Sequence, residues 1–521
     1  MFHGNVRCSP CSLHRKVKNN TRKSPADYDT PQTIQARFKS DTGEEIGSPL
    51  DLPLKITRDQ LQLICNALLV QEENNPFLFF VNDNEITSTL ESSLDISKLN
   101  SEEVVNIIYQ QQAVFRVRPV TRCTSSLPGH AEAVISVNFS PCGKYLASGS
   151  GDTTVRFWDL NTQTPHHTCE GHKNWVLCIS WSPDGAKLAS ACKQGHLILW
   201  DPNTGKQMGR TMVGHKQWIS SLAWEPYHLN PECRKLASAS KDGDIRIWDT
   251  VLCQSILTLG GHTKSVTQIK WGGTGLIYSA SQDRTIRVWR AEDGVLCRLL
   301  EGHAHWVNTL ALSTDFVLRI GPFHPIMDAH SQIKDKKELQ KLAKEKYDAV
   351  CSNGVERLVS GSDDFTLFLW LPETDKKPLA RMTGHQQLIN DVKFSPDTRI
   401  IASASFDKSV KLWDSITGKF ITSLRGHVQA VYMIAWSADS RLLVSGSADS
   451  TLKVFNMKTK KLEQDLPGHA DAVFAVDWSP DGSCVASGGK DKVLKLYVEY
   501  FNTGVYLKNF FWQFKLIKIS Y

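Results

Sequence analysis

The chain has no apolar run long enough to cross a membrane and no stretch ordered like a secretory leader. Neither a membrane protein nor a secreted one is expected. It also lacks a frame of paired cysteines. Its 13 Cys are scattered, often at apolar positions such as Cys178 and Cys297, as suits reduced thiols in a cytosolic or nuclear protein. Cys8 and Cys11 have zinc spacing, with His3 and His14 nearby, but no second pair completes a four-ligand site. A phosphate loop and an unrepeated nucleophile–base pair are both missing, which sets enzymes aside. Residues 1–30 have few large apolar side chains and carry six basic groups against two acidic ones, so a disordered basic tail is expected. Arg15-Lys16-Val17-Lys18 and Arg22-Lys23 read as a weak nuclear import signal or as ordinary solvated charge.

What the chain has in abundance is one repeat. A Gly-His pair at Gly129-His130 returns seven times, at steps of 42, 43, 47, 41, 82, 42 and 42 residues. Between pairs, short alternating runs are broken by Gly, Pro and Asp turns, the pattern of strands and hairpins. A period of about 40–45 residues that opens on Gly-His and closes near Trp-Asp is the WD40 signature, one four-stranded propeller blade per copy. Residues 123–497 resemble WD40 proteins. The expected fold is mainly β: an eight-bladed WD40 β-propeller over 119–498, preceded by a small α+β ubiquitin-like (β-grasp) domain over 31–118.

A Ser-His-Asp set recurs inside the repeat. The first copy has His130, Ser148, Asp152 and Trp158, and a later one has His385, Ser403, Asp407 and Trp413. A catalytic triad occurs once per site, whereas this set recurs in nearly every copy. It is expected to be a structural chain running from Trp to Ser to His to Asp, so that each polar group buried between blades has a partner. Copy two has Gln194 where Asp is expected. Copies seven and eight end in Phe455-Asn456 and Tyr497-Val498, without an indole donor. Each of these blades should be held less firmly, by about 1 kcal/mol.

Residues 31–120 carry seven basic against thirteen acidic groups, and an acidic module joined to a basic one points to two kinds of partner. Strands are expected at Thr33–Phe38, Leu52–Ile56, Phe77–Val81, Thr89–Leu94 and Val104–Tyr109. Thr57 should cap a helix over Arg58–Val70, with Leu61, Ile64, Cys65 and Leu68 inward. This module ends in Ala113 to Arg122 (AVFRVRPVTR) and runs directly into the propeller. With Gly149-Ser150-Gly151-Asp152, Trp175 to Trp181 (WVLCISW), Ser281-Gln282-Asp283-Arg284 and Arg381 to His385 (RMTGH), the chain resembles the Notchless family over about residues 32–497.

That resemblance implies a non-enzymatic factor in assembly of the large (60S) ribosomal subunit, located in the nucleus and nucleolus. The propeller would dock on the pre-60S particle, against rRNA and ribosomal proteins, as a monomer within a large complex. The ubiquitin-like domain would be gripped by midasin, an AAA ATPase whose adhesion site completes its Mg²⁺ shell with a carboxylate from the client. By position the ligand is Glu102, seven residues before Tyr109, with Glu103 the neighbour that could replace it. One protruding carboxylate suits a hard cation. The chain needs no cofactor of its own. The other reading is a generic WD40 adaptor in ubiquitin ligation or signalling, including regulation of the Notch pathway.

On the propeller, the loops carrying each His and Asp share one face. Trp175, Trp218 and Trp306 each stand three residues after the His, where other copies have mostly small residues. Lys193, Lys241, Arg284, Lys408 and Lys490 flank the Asp turns. Exposed indoles among cations suit RNA or a ribosomal protein, and indoles packed between blades are the alternative. The last blade ends after its third strand, and Val114–Val120 is expected to supply the fourth and close the ring. An insertion over 313–354 should contain a helix over Lys334–Val350, with Leu339, Leu342, Ala343 and Tyr347 on one stripe. Residues 499–521 form an atypical C-terminal extension with no repeat logic.

Overall fold

The computed structural model describes residues 33–40, 45–69, 77–81, 84–86, 90, 104–111, 117, 119–160, 162–323, 335–351 and 355–498. The basic tail, Glu102, Glu103 and the extension over 499–521 lie outside the described residues. The chain divides into two compact units, residues 1–114 and 115–521.

The first unit is a five-stranded sheet with one helix. Its strands are β1 (Thr33–Ser40), β2 (Glu45–Pro53), β3 (Phe77–Val81), β4 (Asn84–Glu85) and β5 (Val105–Gln111), in the order β2-β1-β5-β3-β4. β1 and β5 run parallel, from Ala36 opposite Val105 to Ser40 opposite Tyr109, and the other pairs are antiparallel. This is the β-grasp arrangement. The helix α1 (Arg58–Leu69) starts where a capping box predicts: the Thr57 N–H donates to Gln60 Oε1 at 3.0 Å. Leu61 and Cys65 are buried against Phe38, Phe77 and Phe79, with Ile64 and Leu68 partly covered. The strand expected over 89–94 is described only at Leu90, which is buried and whose N–H donates to the Ile56 carbonyl.

The second unit is a ring of eight four-stranded blades. Blade one is typical, with strands Val134–Phe139, Tyr145–Ser150, Val155–Asp159 and Thr164–Cys169 from the centre outward. Blades pack through the small residues of their second strands. A Cβ on Gly149 would come within 2.8 Å of Val176 in blade two, and one on Gly488 within 2.5 Å of Val134 in blade one. Apolar side chains from neighbouring blades then form continuous clusters around the ring.

The ring closes with a strand from the wrong end of the chain. Blade eight has Val473–Trp478, Cys484–Gly489 and Leu494–Val498, and its outer strand is β6 (Arg122–Leu127), antiparallel to Leu494–Val498. The sequence points to Val114–Val120 for this closure, and the structure corrects it to the segment that follows. Val117 and Val120 do something else. They are buried in the core of blades seven and eight, and the Val117 N–H donates to Asp439 Oδ2 at 2.8 Å. Val117, placed with the first module by the sequence, therefore belongs to the propeller.

The insertion lies between the inner strand of blade five (Val307–Leu312) and its second strand (Leu358–Ser362). It holds two helices, α2 (Asp315–Ile320) and α3 (Lys336–Val350). The sequence predicts only the second, which starts two residues later than expected because Asp335 caps it by accepting from the Lys337 N–H at 3.0 Å. α3 lies on blades three and four. Tyr347 stacks on His228 at 4.6 Å, and its hydroxyl donates to the buried Glu356 Oε1 at 3.1 Å. α2 reaches across the channel. Asp315 pairs with Lys270 of blade four at 2.9 Å, and Arg319 pairs with both oxygens of Asp477 in blade eight.

Candidate interaction face

Each blade anchors its two face loops through the repeated side-chain set. In blade one the Trp158 indole donates to Ser148 Oγ at 2.8 Å. Ser148 Oγ lies 2.8 Å from His130 Nε2, and His130 Nδ1 lies 2.8 Å from Asp152 Oδ2. The Asp also accepts from the Ala131 N–H at 2.9 Å. With the carboxylate ionised, Nδ1 carries the imidazole proton and Nε2 accepts from the Ser hydroxyl. Burial works against the Asp charge, but donors from His130 and Thr154 outweigh it and hold the Asp152 carboxyl well below its usual range. Ser403, His385, Asp407 and Trp413 repeat the geometry in blade six at 2.7 to 2.9 Å. The Ser hydroxyls are fully buried, so none is presented as a nucleophile.

The three irregular blades differ as their residues require. His172 in blade two still meets Ser190 Oγ at 2.6 Å, but its Nδ1 is buried with no hydrogen-bond partner. Burial, helped by the nearby His196, lowers its pKa to about 4. In blade seven Phe455 gives Ser445 no donor, and Ser445 keeps only its His427 bond among side chains, at 2.7 Å. In blade eight the Tyr497 hydroxyl is buried without a hydrogen bond of regular geometry.

These anchored loops carry the predicted face residues. Trp175 is 48% exposed and Trp306 39% exposed, so neither indole is packed away between blades, and Trp218 is half-buried. The structure joins four of the residues into one ladder across blades two and three. Lys193 Nζ lies 4.8 Å from the Trp175 ring and 6.0 Å from Trp218, and Lys241 Nζ lies 4.0 Å from Trp218. Trp306 stands apart on blade five beside His305, with ring centroids 5.3 Å apart. Arg284 and Lys408 follow their Asp in the left-handed region, at φ 71° and 70°. Lys490 pairs with Asp471 at 3.1 Å.

Sequence reasoning missed the opposite side of the ring. A cavity of about 300 Å³ follows the channel, lined by inner-strand residues such as Trp181, Trp224 and Trp271, with α2 across it. Arg319 also reaches the Phe139 carbonyl at 3.4 Å, so it bridges the inner strands of blades one and eight. A six-residue helix inside a lysine-rich insertion gives little periodicity to find.

Comparison with known proteins places this arrangement. The NLE (NUC135) domain family matches residues 34–94. The WD domain, G-beta repeat family matches seven stretches: 121–159, 163–201, 206–249, 253–290, 376–414, 418–456 and 460–497. The first of these begins with the closing strand, and the blade-five copy is the one that the insertion interrupts. The computationally designed Ika8 protein superposes with a TM-score of 0.57 at 26% identity, covering 72% of this chain and 99% of that one. The molecule is thus a WD-repeat propeller protein with an NLE domain.

The relatives narrow the class. Protein Notchless of Drosophila melanogaster is 64% identical over 374 residues, which is 71% of this chain and 76% of that protein. The Notchless protein homolog of Arabidopsis thaliana is 55% identical over 399 residues, 77% of this chain and 84% of the relative. Ribosome assembly protein 4 of Saccharomyces cerevisiae is 48% identical over 415 residues, 75% and 79% of the two chains. The chain belongs to the Notchless family.

Proposed function

We propose that this chain is a non-enzymatic ribosome assembly factor acting on the large subunit in the nucleus and nucleolus. The observation that carries the reading is the 48% identity to Ribosome assembly protein 4 of yeast, extending over 75% of this chain. The propeller is the docking platform. Its indole–lysine ladder at Trp175, Lys193, Trp218 and Lys241 gives ribosomal RNA a surface for stacking and charge together. The buried, hydrogen-bonded Ser–His–Asp sets support a scaffold rather than a hydrolase.

In this reading the acidic N-terminal domain is the handle. Glu102 offers its carboxylate to the Mg²⁺ of a midasin-type AAA ATPase, and ATP-driven pulling remodels or releases the particle. The test has two arms. Tagged chain should accumulate in the nucleolus and co-sediment with precursor particles; migration only in small complexes would make it an adaptor instead. Glu102→Asp shortens the reach by one methylene and should abolish midasin capture while particle docking persists. Undiminished capture would remove Glu102 from the mechanism.

A further inference from the structure

A cleft of about 300 Å³ opens between the loops of blades six and seven on the same face as the ladder. Three cations line it: Lys408, Lys411 and Arg425. In strand register Lys411 faces a neutral residue, as Arg156, Arg246 and Lys495 do in their blades, and blade seven shows what an acid at that place does. In blade seven Lys453 stands opposite Asp465, and the two form an ion pair at 2.8 Å. The same register in blade six puts Lys411 opposite Ser423. The carboxylate is missing, and the Ser423 hydroxyl is shielded from solvent with no hydrogen-bond partner. Arg425 stands just before Gly426-His427, where no other copy has a cation. Lys408 projects from the exposed turn.

The one acid on the lining does not neutralise the three. Asp407 accepts from His385, from the Gln386 N–H at 3.1 Å and from Ser409. With its carboxylate ionised, three cations against one anion leave the lining at +2. None of the three cations has an ion-pair partner among the described residues. Blade seven supplies from within the chain the anion that blade six lacks.

We propose that this cleft is a phosphate subsite that seats one phosphodiester of an RNA backbone. Arg425 offers a planar fork of donors, and the two lysines add point charge. A repeating polyanion is favoured over a lone phosphate group because it can engage this cleft and the other cations of the face at once. The choice of RNA rests on the assembly-factor reading. The anion cleft itself does not.

The test uses the purified full chain and a single-stranded oligouridylate of about 12 nucleotides, within the span such sites cover, followed by fluorescence anisotropy at several salt concentrations. Ser423→Asp recreates inside blade six the pair that blade seven already contains, and an unchanged melting curve verifies its fold. Arg425→Gln, at an exposed side chain, is the independent second variant. Each should weaken binding several-fold at low salt. Each should also flatten the slope of log K against log salt by about 0.7, the value of one phosphate contact on a single strand. Equal losses on oligomers of other base sequence are expected, because phosphate carries no sequence information. Unchanged affinity and slope in both variants would overturn the proposal. Unchanged RNA binding with loss of a phosphoserine peptide would overturn RNA as the carrier. Failure of the unsubstituted chain to co-sediment with precursor particles would instead strike the assembly reading, and the salt slopes would still decide whether the cleft holds phosphate.

Discussion

Replacing Gln194 by Asp would give blade two the carboxylate that every other blade places at that position. There the carboxylate binds two groups, the His Nδ1–H and the next backbone N–H, as Asp242 does for His215 at 3.0 Å and for Lys216 at 3.0 Å. In blade two His172 Nδ1 has neither that partner nor any other. Two recovered hydrogen bonds to a partly buried carboxylate contribute about 2 kcal/mol after desolvation. With an unfolding entropy of about 2.1 cal/mol/K per residue over a propeller of about 375 residues, that is a rise in apparent Tm of about 2–3 °C. The pH dependence is the sharper test. Burial lowers His172 to about 4, below the ordinary 6.5. The stability tied to its neutral form is complete above the unfolded value and is lost as pH falls towards 4. A depression of that size corresponds to about 3 kcal/mol in full, of which about 2 is gone by pH 5. The introduced carboxylate would pair the imidazolium and remove most of that loss. The gap between variant and wild type should therefore widen from about 2 kcal/mol near pH 7 to about 4 near pH 5. Thermal melts at the two pH values measure it. A variant that melts lower, or a gap independent of pH, would refute the account of His172.

Other substitutions probe other links. Ser403→Ala strands the Trp413 indole and His385 Nε2, each now bonded to that hydroxyl, and should cost about 3 kcal/mol; a denaturant midpoint shift worth less than about 1 kcal/mol would contradict it. Arg319→Ala removes the brace between α2 and blade eight and leaves Asp477 under-partnered. Hydrogen exchange should accelerate in Val473–Trp478, and unchanged protection there would show the brace to be idle. Burial raises the Glu356 carboxyl above its ordinary value, so its contribution is full below about pH 4.5 and is lost as pH rises. Glu356→Gln keeps an acceptor for Tyr347 and should flatten the decline of Tm with rising pH; an unaltered decline would move the cause elsewhere.

Much of this molecule was legible because the sequence states it eight times. Five copies repeat the full set of His, Ser, Asp and Trp, and the structure turns each into the same hydrogen-bonded chain. The departures were legible for the same reason, since Gln194, Phe455 and Tyr497 stand out only against the pattern. The closing strand was misplaced by several residues. Arg122–Leu127 turns Cys123, Ser125 and Leu127 inward, too little apolar side chain to outbid the more apolar Val114–Val120. The grouping of Trp175, Lys193, Trp218 and Lys241 was not written in any single copy. It comes from two adjoining blades each placing an indole three residues after its His and a lysine just before its turn. The Arg319–Asp477 bridge joins residues 158 apart in sequence, and no local pattern announces it.

Because Arg122–Leu127 completes the last blade, the stretch of sequence that follows the β-grasp domain supplies the ring's clasp. Traction arriving from that side would meet the Val117 N–H on Asp439 Oδ2 and the buried Val117 and Val120 first, and only then the Thr121 N–H and Val498 carbonyl, 3.3 Å apart, and the Arg122–Val498 pairing beside them. Blade seven, through Asp439, would bear load first and the clasp next. How hard this molecule can be tugged without unravelling is set by that short anchor on blade seven together with the seam between the start and the end of the propeller.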